Sequence, residues 1–159
     1  MEIRNARMED VKQIVIILDQ VTKMHYEIRP DIFKKKDKEK LDKEVVDAMN
    51  DLNKKIIVAT DKTSKIYGIL IYKIKEIKEH INLKDSKILW IDELGVDEQY
   101  RKKGIGKELI FKAEKIAKDL DCKSIELNCW KFNKNAINFY KANGMDSQRI
   151  IMSKKIGGD

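Results

Sequence analysis

The sequence predicts an α/β fold of the α+β kind, and three observations carry that expectation. Apolar residues recur with period two in some stretches and at spacings of three and four in others, which separates strands from helices. These stretches follow the order strand, two helices, three strands, helix, strand, helix, strand, which is neither a barrel nor a simple Rossmann pattern. The 159 residues contain no internal repeat, low-complexity run or linker, so one domain over residues 1–159 is expected, long enough to bury about two thirds of its unfolded surface.

Glu2-Ile3-Arg4-Asn5-Ala6 reads as a first strand, and Met8-Glu9-Asp10 leads into a helix whose Val11, Ile14, Val15, Leu18 and Val21 share one face. Pro30, the only proline, ends that helix near Arg29. A second helix over residues 38–53 is expected to bury Leu41, Val45, Ala48, Met49 and Leu52. Residues 56–60 and 66–74 form two antiparallel strands around a polar turn, the second running on towards Ile77. Residues 78–87 connect them to a central strand that starts near Ile88. Ser124 to Trp130 alternates as a strand with Ile125, Leu127 and Cys129 on one face, residues 133–142 form a short helix stopped at Asn143-Gly144, and residues 148–155 supply a last strand.

The stretch from Trp90 to Lys118 organises the rest. A buried strand, Trp90 to Val96, passes through Asp97-Glu98-Gln99-Tyr100 to Arg101-Lys102-Lys103-Gly104-Ile105-Gly106. An amphipathic helix follows, with Ile105, Leu109, Ile110, Ala113, Ile116, Ala117 and Leu120 on its apolar face. The first N–H groups of a helix lack intrahelical partners and sit at the positive end of its dipole, so such a loop suits a phosphate. Gly104 and Gly106 let the backbone bend around an anion, and Arg101, Lys102 and Lys103 add positive charge beside it. A dinucleotide fingerprint does not fit, because Arg101 stands where its first glycine belongs, and no Gly-Lys-Ser or Gly-Lys-Thr completes a Walker loop.

Leu94-Gly95-Val96 followed by Arg101-x-x-Gly104-x-Gly106 resembles motif A of the GCN5-related N-acetyltransferase (GNAT) family. The stretch Asn128-x-x-x-x-Asn133-x-x-Ala136-x-x-Phe139-Tyr140-x-x-x-Gly144-Met145 is similar to that family's second signature, with Met145 where a phenylalanine is usual. The resemblance covers roughly residues 2–156. It implies a mixed, mainly antiparallel sheet of about six to seven strands, splayed where acetyl-CoA enters and flanked by helices. It further implies that Leu94, Gly95 and Val96 meet the pantetheine arm, and that the amides of Arg101, Lys102, Lys103, Gly104, Ile105, Gly106 and Lys107 cradle the diphosphate. Asn128, Asn133, Ala136 and Tyr140 are further cofactor contacts on this reading, although Asn133 serves equally well as a helix N-cap.

Direct acetyl transfer needs an uncharged amine, donors for the developing oxyanion and an acid for the departing thiolate. The resemblance makes Tyr140 that acid, whereas without the motif it reads as a core aromatic. Glu93 is the preferred base. Asp92 is expected on the opposite face of the strand, and either acid could equally be a strand-end partner of a lysine. His25 and Glu27 are weighed as lining for the acceptor pocket, with a surface role preferred for His25. An acetyl-CoA-dependent N-acetyltransferase acting on a primary amine without a covalent enzyme intermediate is the expected function, and a non-catalytic acyl-CoA sensor is its alternative.

Composition sets the remaining limits. A net charge of +7 brings nucleic acid to mind, but the lysines are scattered among acids, so neither nucleic acid nor membrane is an expected partner. The N-terminus lacks the build of a signal peptide, and a cytoplasmic protein is expected. Cys122 and Cys129 are expected as free thiols, with no metal site. The resemblance leaves a homodimer open.

Overall fold

The structure, a computed structural model, describes residues 1–157. It divides into two compact units, Met1–Asn128 and the residues from Cys129 onward. The first unit contains β1 (Glu2–Asn5), α1 (Val11–Ile28), α2 (Lys38–Asn50), β2 (Lys54–Thr60), β3 (Ile66–Ile77), β4 (Ser86–Val96), α3 (Ile105–Asp119) and β5 (Ser124–Leu127). The second contains α4 (Lys134–Ala142).

The strands form one mixed sheet in the order β1-β2-β3-β4-β5. Its first three pairings are antiparallel, and β4 pairs parallel with β5. The described sheet thus has five strands, fewer than the six to seven expected. The difference lies at the C-terminal end. Residues 148–155 have the residues of a strand but form none, and Ile150, Ile151 and Met152 are 80%, 87% and 86% exposed. A strand exists only where a neighbour completes its hydrogen bonds, and propensity does not supply that neighbour. The strand expected to reach Trp130 likewise stops at Leu127.

Helices α1 and α2 cover one face of the sheet. Ile14, Ile17 and Leu18 of α1, with Leu41 and Val45 of α2, pack on Ile56 and Val58 of β2 and Ile69 and Ile71 of β3. Helix α3 covers the opposite face. A β-carbon on Gly68 of β3 would stand 2.9 Å from Ile105 Cγ2 and 3.1 Å from Leu109 Cδ1, so this glycine lets the start of α3 press onto the sheet. Gly95 of β4 does the same for α1, since a β-carbon there would lie 2.8 Å from Ile17 Cγ2. Gly95→Val is therefore expected to cost about 1–3 kcal/mol by overpacking, read as a lower midpoint in urea with an unchanged slope.

One buried ion pair ties the N-terminus to this frame. Asp10, 1% exposed, accepts from Arg4 Nη1 at 2.7 Å and from the Arg7 N–H at 2.7 Å. Burial by itself would raise the Asp10 carboxyl, but the Arg4 and Arg7 hydrogen bonds and charges outweigh it and hold the group below its ordinary value. A depressed carboxylate stabilises the fold above its unfolded pKa and loses that contribution as pH falls. Asp10→Ala is thus expected to cost about 3–5 kcal/mol near neutrality by leaving Arg4 unpaired, with the deficit shrinking below about pH 4, measured by urea unfolding at several pH values.

Candidate active site

The loop between β4 and α3 is held by one local cap and by contacts from distant parts of the chain. The Asp97 N–H donates to the Tyr67 carbonyl at 2.9 Å, and Asp97 Oδ1 accepts from the Gln99 N–H at 3.1 Å. Gln20 of α1 reaches over to accept from the Glu98 N–H at 3.0 Å, and Lys65 Nζ donates to the Tyr100 hydroxyl at 2.6 Å. Lys102 at φ 61° and Gly104 at φ 81° are both left-handed, which turns the chain sharply into α3. The first α3 bond runs from the Glu108 N–H to the Gly104 carbonyl, so the N–H groups of Ile105, Gly106 and Lys107 precede the helical ladder.

A β-carbon on Gly104 would meet nothing within 4 Å, so solvent is open beside the turn. Three amides without intrahelical partners at the positive end of a helix dipole are chemistry that suits a diphosphate. The side chains around them are less uniform than the sequence implied. The Ile105 side chain is 6% exposed and packed, leaving only its backbone for a ligand. Arg101 Nε donates to the Val96 carbonyl at 3.2 Å, and Lys103 Nζ sits 4.7 Å from the centre of the Tyr100 ring. Lys102 and Lys107 are exposed.

Strand β4 opens beside this loop. Its parallel ladder with β5 runs only from Ile88 to Ile91, whereas Glu93 to Val96 pairs with β3 alone. The backbone of Leu94, Gly95 and Val96 therefore has an edge without a strand on the β5 side among the described residues, which is the splay the resemblance implied. Leu94 and Val96 lie on this edge. Gly95 is buried and is explained by its packing on Ile17.

The register of β3 and β4 shifts where Ile71 pairs with Glu93 and Tyr72 with Ile91, so Asp92 is the extra residue of a β-bulge. This corrects the expected placement of the two acids on opposite faces. Asp92 and Glu93 line the same cavity, of about 360 Å³, together with Leu18 and Thr22 of α1 and much of one side of α2. Asp92 is held by Lys73 Nζ at 3.2 Å and Lys54 Nζ at 3.8 Å. Glu93 has no ion pair or hydrogen bond among the described residues and is exposed to the cavity. Burial pushes its pKa up to about 7, with Lys36 opposing and Asp92 and Glu44 adding to the rise. The residue is exposed to solvent, and that water screens the rise.

His25 and Glu27 are not among the cavity-lining residues. His25 is half-buried rather than at the surface, with Nδ1 3.0 Å from the Val21 carbonyl and its ring 5.0 Å from that of Phe33. Asn128 is exposed directly after β5. In the second unit, Asn133 takes the N-cap role, its Oδ1 accepting from the Ala136 N–H at 3.1 Å. Tyr140 is half-buried on α4, its ring 5.2 Å from that of Phe139, and Gly144 at φ 80° ends the helix as its sequence implies. Both cysteines are free thiols.

The sequence model of the Acetyltransferase (GNAT) family matches residues 19–145, most of the chain. The chain belongs to the GNAT acetyltransferase family. Among curated proteins, this GNAT chain is 41% identical over 63 residues to GCN5-related N-acetyltransferase 4, chloroplastic, of Arabidopsis thaliana, a match covering 40% of the chain. The matched stretches span 22% and 31% of the lengths of that protein and of an uncharacterized N-acetyltransferase of Methanocaldococcus jannaschii. Among solved structures, a mutant of the BH1408 protein from Bacillus halodurans superposes with a TM-score of 0.93 at 26% identity, covering 98% of this chain and 99% of that one. A possible acetyltransferase from Clostridium difficile superposes with a TM-score of 0.78 at 26% identity, over 99% and 98% of the two chains.

Several residues that shape this GNAT site carry no sequence signal of their own. Gln20, Lys65 and Tyr100 hold the turn before the loop, yet each reads as an ordinary surface residue. Glu44, Asp47 and Asp51 read as the solvated side of α2, and only the fold turns them towards β4. An acid every three or four residues beside an apolar stripe was the one available hint.

Proposed function

We propose that the protein is an N-acetyltransferase that moves acetyl from acetyl-CoA directly to a primary amine seated in the cavity between α1, α2 and β4. The observation that carries this reading is Glu93. It lines that cavity on the strand whose next three residues, Leu94 to Val96, leave the sheet edge open ahead of the glycine-bearing loop.

The chemistry assigned to these residues balances. The Glu93 carboxylate takes a proton from the incoming ammonium, directly or through water, leaving a neutral amine. The amine nitrogen attacks the thioester carbonyl carbon, and a backbone N–H at the open edge of β4 supports the oxygen as it gains charge. The carbon–sulfur bond breaks as the amide forms, and the departing thiolate takes a proton from the Tyr140 hydroxyl, the role its motif position supports. The proton still carried by the new amide nitrogen returns to the Tyr140 phenolate, directly or through water, and Glu93 releases its proton to solvent. The amides of Ile105, Gly106 and Lys107 hold the diphosphate, and Arg101, Lys102 and Lys103 supply charge around it.

The test is steady-state release of free thiol from acetyl-CoA with a panel of primary amines. Turnover with any amine, falling at least tenfold in Tyr140→Phe, supports the assignment. Tight CoA binding in calorimetry with no turnover across the panel replaces it with an acyl-CoA sensor.

A further inference from the structure

The cavity that contains Glu93 is charged against the sign of the whole chain. Its lining holds five carboxylates, Glu44, Asp47, Asp51, Asp92 and Glu93, against two lysines, Lys36 and Lys54, in a protein of net charge +7. Both lysines are already engaged. Lys36 Nζ lies 2.9 Å from Glu44, and Lys54 shares Asp92 with Lys73. Asp47, Asp51 and Glu93 are left without an ion pair among the described residues.

Two of these acids also sit where a helix disfavours them. Asp47 lies in the last turn of α2, and Asp51 is its C-cap, at the negative end of the helix dipole, with no basic residue in that turn. They are four residues apart, so they also repel one another. Asp51 Oδ1 accepts from the Asn53 N–H at 2.8 Å, but neither acid has a cationic partner among the described residues, and two acids at the negative end of a helix on the rim of a cavity point to a cation from outside the chain. The wall between is apolar, built by Leu18, Leu41, Val45, Ala48 and Ile71. The volume of about 360 Å³ is that of a small-molecule pocket.

We propose that the acceptor is a short aliphatic amine carrying at least one further ammonium. One nitrogen loses its proton to Glu93 and is acetylated, the methylenes lie on the apolar wall, and the second ammonium is held by Asp47 and Asp51. This rests on the acetyltransferase reading above and names the substrate class of the same site. The concave, negatively lined wall raises the local concentration of a small dication even though the chain as a whole is positive.

The test compares 1,4-diaminobutane, n-butylamine and 4-aminobutyrate as acceptors under saturating acetyl-CoA, following free thiol. In parallel, 1,4-diaminobutane is titrated calorimetrically into the CoA-loaded protein. The diamine is expected to exceed butylamine at least tenfold in kcat/KM, with aminobutyrate poorest. In Asp47→Asn/Asp51→Asn that ratio should fall towards one through a rise in KM, and calorimetric affinity for the diamine should fall at least tenfold. Removing two acids from a helix C-terminus should leave the melting temperature equal or higher, which excludes misfolding as the cause. Equal efficiency for diamine and butylamine, or preference for aminobutyrate, overturns the proposal while leaving the enzyme reading intact. Absence of turnover with every amine, with calorimetric diamine binding that depends on Asp47 and Asp51, removes the enzyme reading and keeps the cation site.

Discussion

Glu93→Gln is expected to lower kcat/KM for amine acetylation by about 100- to 1,000-fold, within the range that a general base contributes. The same substitution should remove the pH dependence that the base imposes. In the wild type, kcat/KM should rise with pH to a plateau as Glu93 loses its proton near pH 7, the value its surroundings give it. Burial raises this value most, Lys36 opposes the rise, and Asp92 and Glu44 add to it. The stability of the fold should move the opposite way. A carboxyl whose folded pKa lies above its unfolded value of 4.5 favours the fold at low pH, and that contribution is lost as pH rises through about 7. Glu93→Gln should therefore melt above the wild type at pH 8 and approach it below pH 5. A variant that loses activity and stability together at pH 8 would mark Glu93 as a structural acid and sink its role as base.

Gly104→Val is expected to abolish the rise in melting temperature that saturating CoA gives the wild type. Ligand at a hundred times its dissociation constant adds about 2.7 kcal/mol to stability, so the wild-type shift should be several degrees. The valine strikes twice. Gly104 stands at φ 81°, where a side chain costs about 1–2 kcal/mol, and a branched side chain would be added at the N-cap, directly before the three unpaired α3 amides. Nothing in the protein lies within 4 Å of a β-carbon there, so the variant should still fold, melting only modestly lower. An unchanged CoA shift in a folded Gly104→Val protein would move the phosphate site away from this loop.

The two halves of the site differed in how far they could be read from the chain. The loop from Arg101 to Lys107 and the amphipathic face of α3 were legible because strand, turn and helix are contiguous, and their chemistry follows from local backbone geometry. Gly95 was legible as a motif glycine but not for its structural reason, contact with Ile17, a residue 78 positions earlier. The cavity was not legible. Its walls come from α1, α2, β2, β3 and β4, and the bulge at Asp92 that places two acids together leaves no trace in the alternation of the strand. The strand expected over residues 148–155 failed for a related reason, since β propensity records what a segment can do and not whether a neighbour is there to pair with it.

The sequence alone determined the family, the glycine-bearing turn before α3 and the identity of the acids and phenol available for chemistry, because short-range periodicity and motif spacing survive without a fold. Only the tertiary structure decided that Asp92 is neutralised by Lys54 and Lys73 while Glu93 faces the cavity, and that Asp47 and Asp51 join it there. A carboxylate's charge and availability depend on what surrounds it, and those surroundings are assembled from residues far apart in the chain.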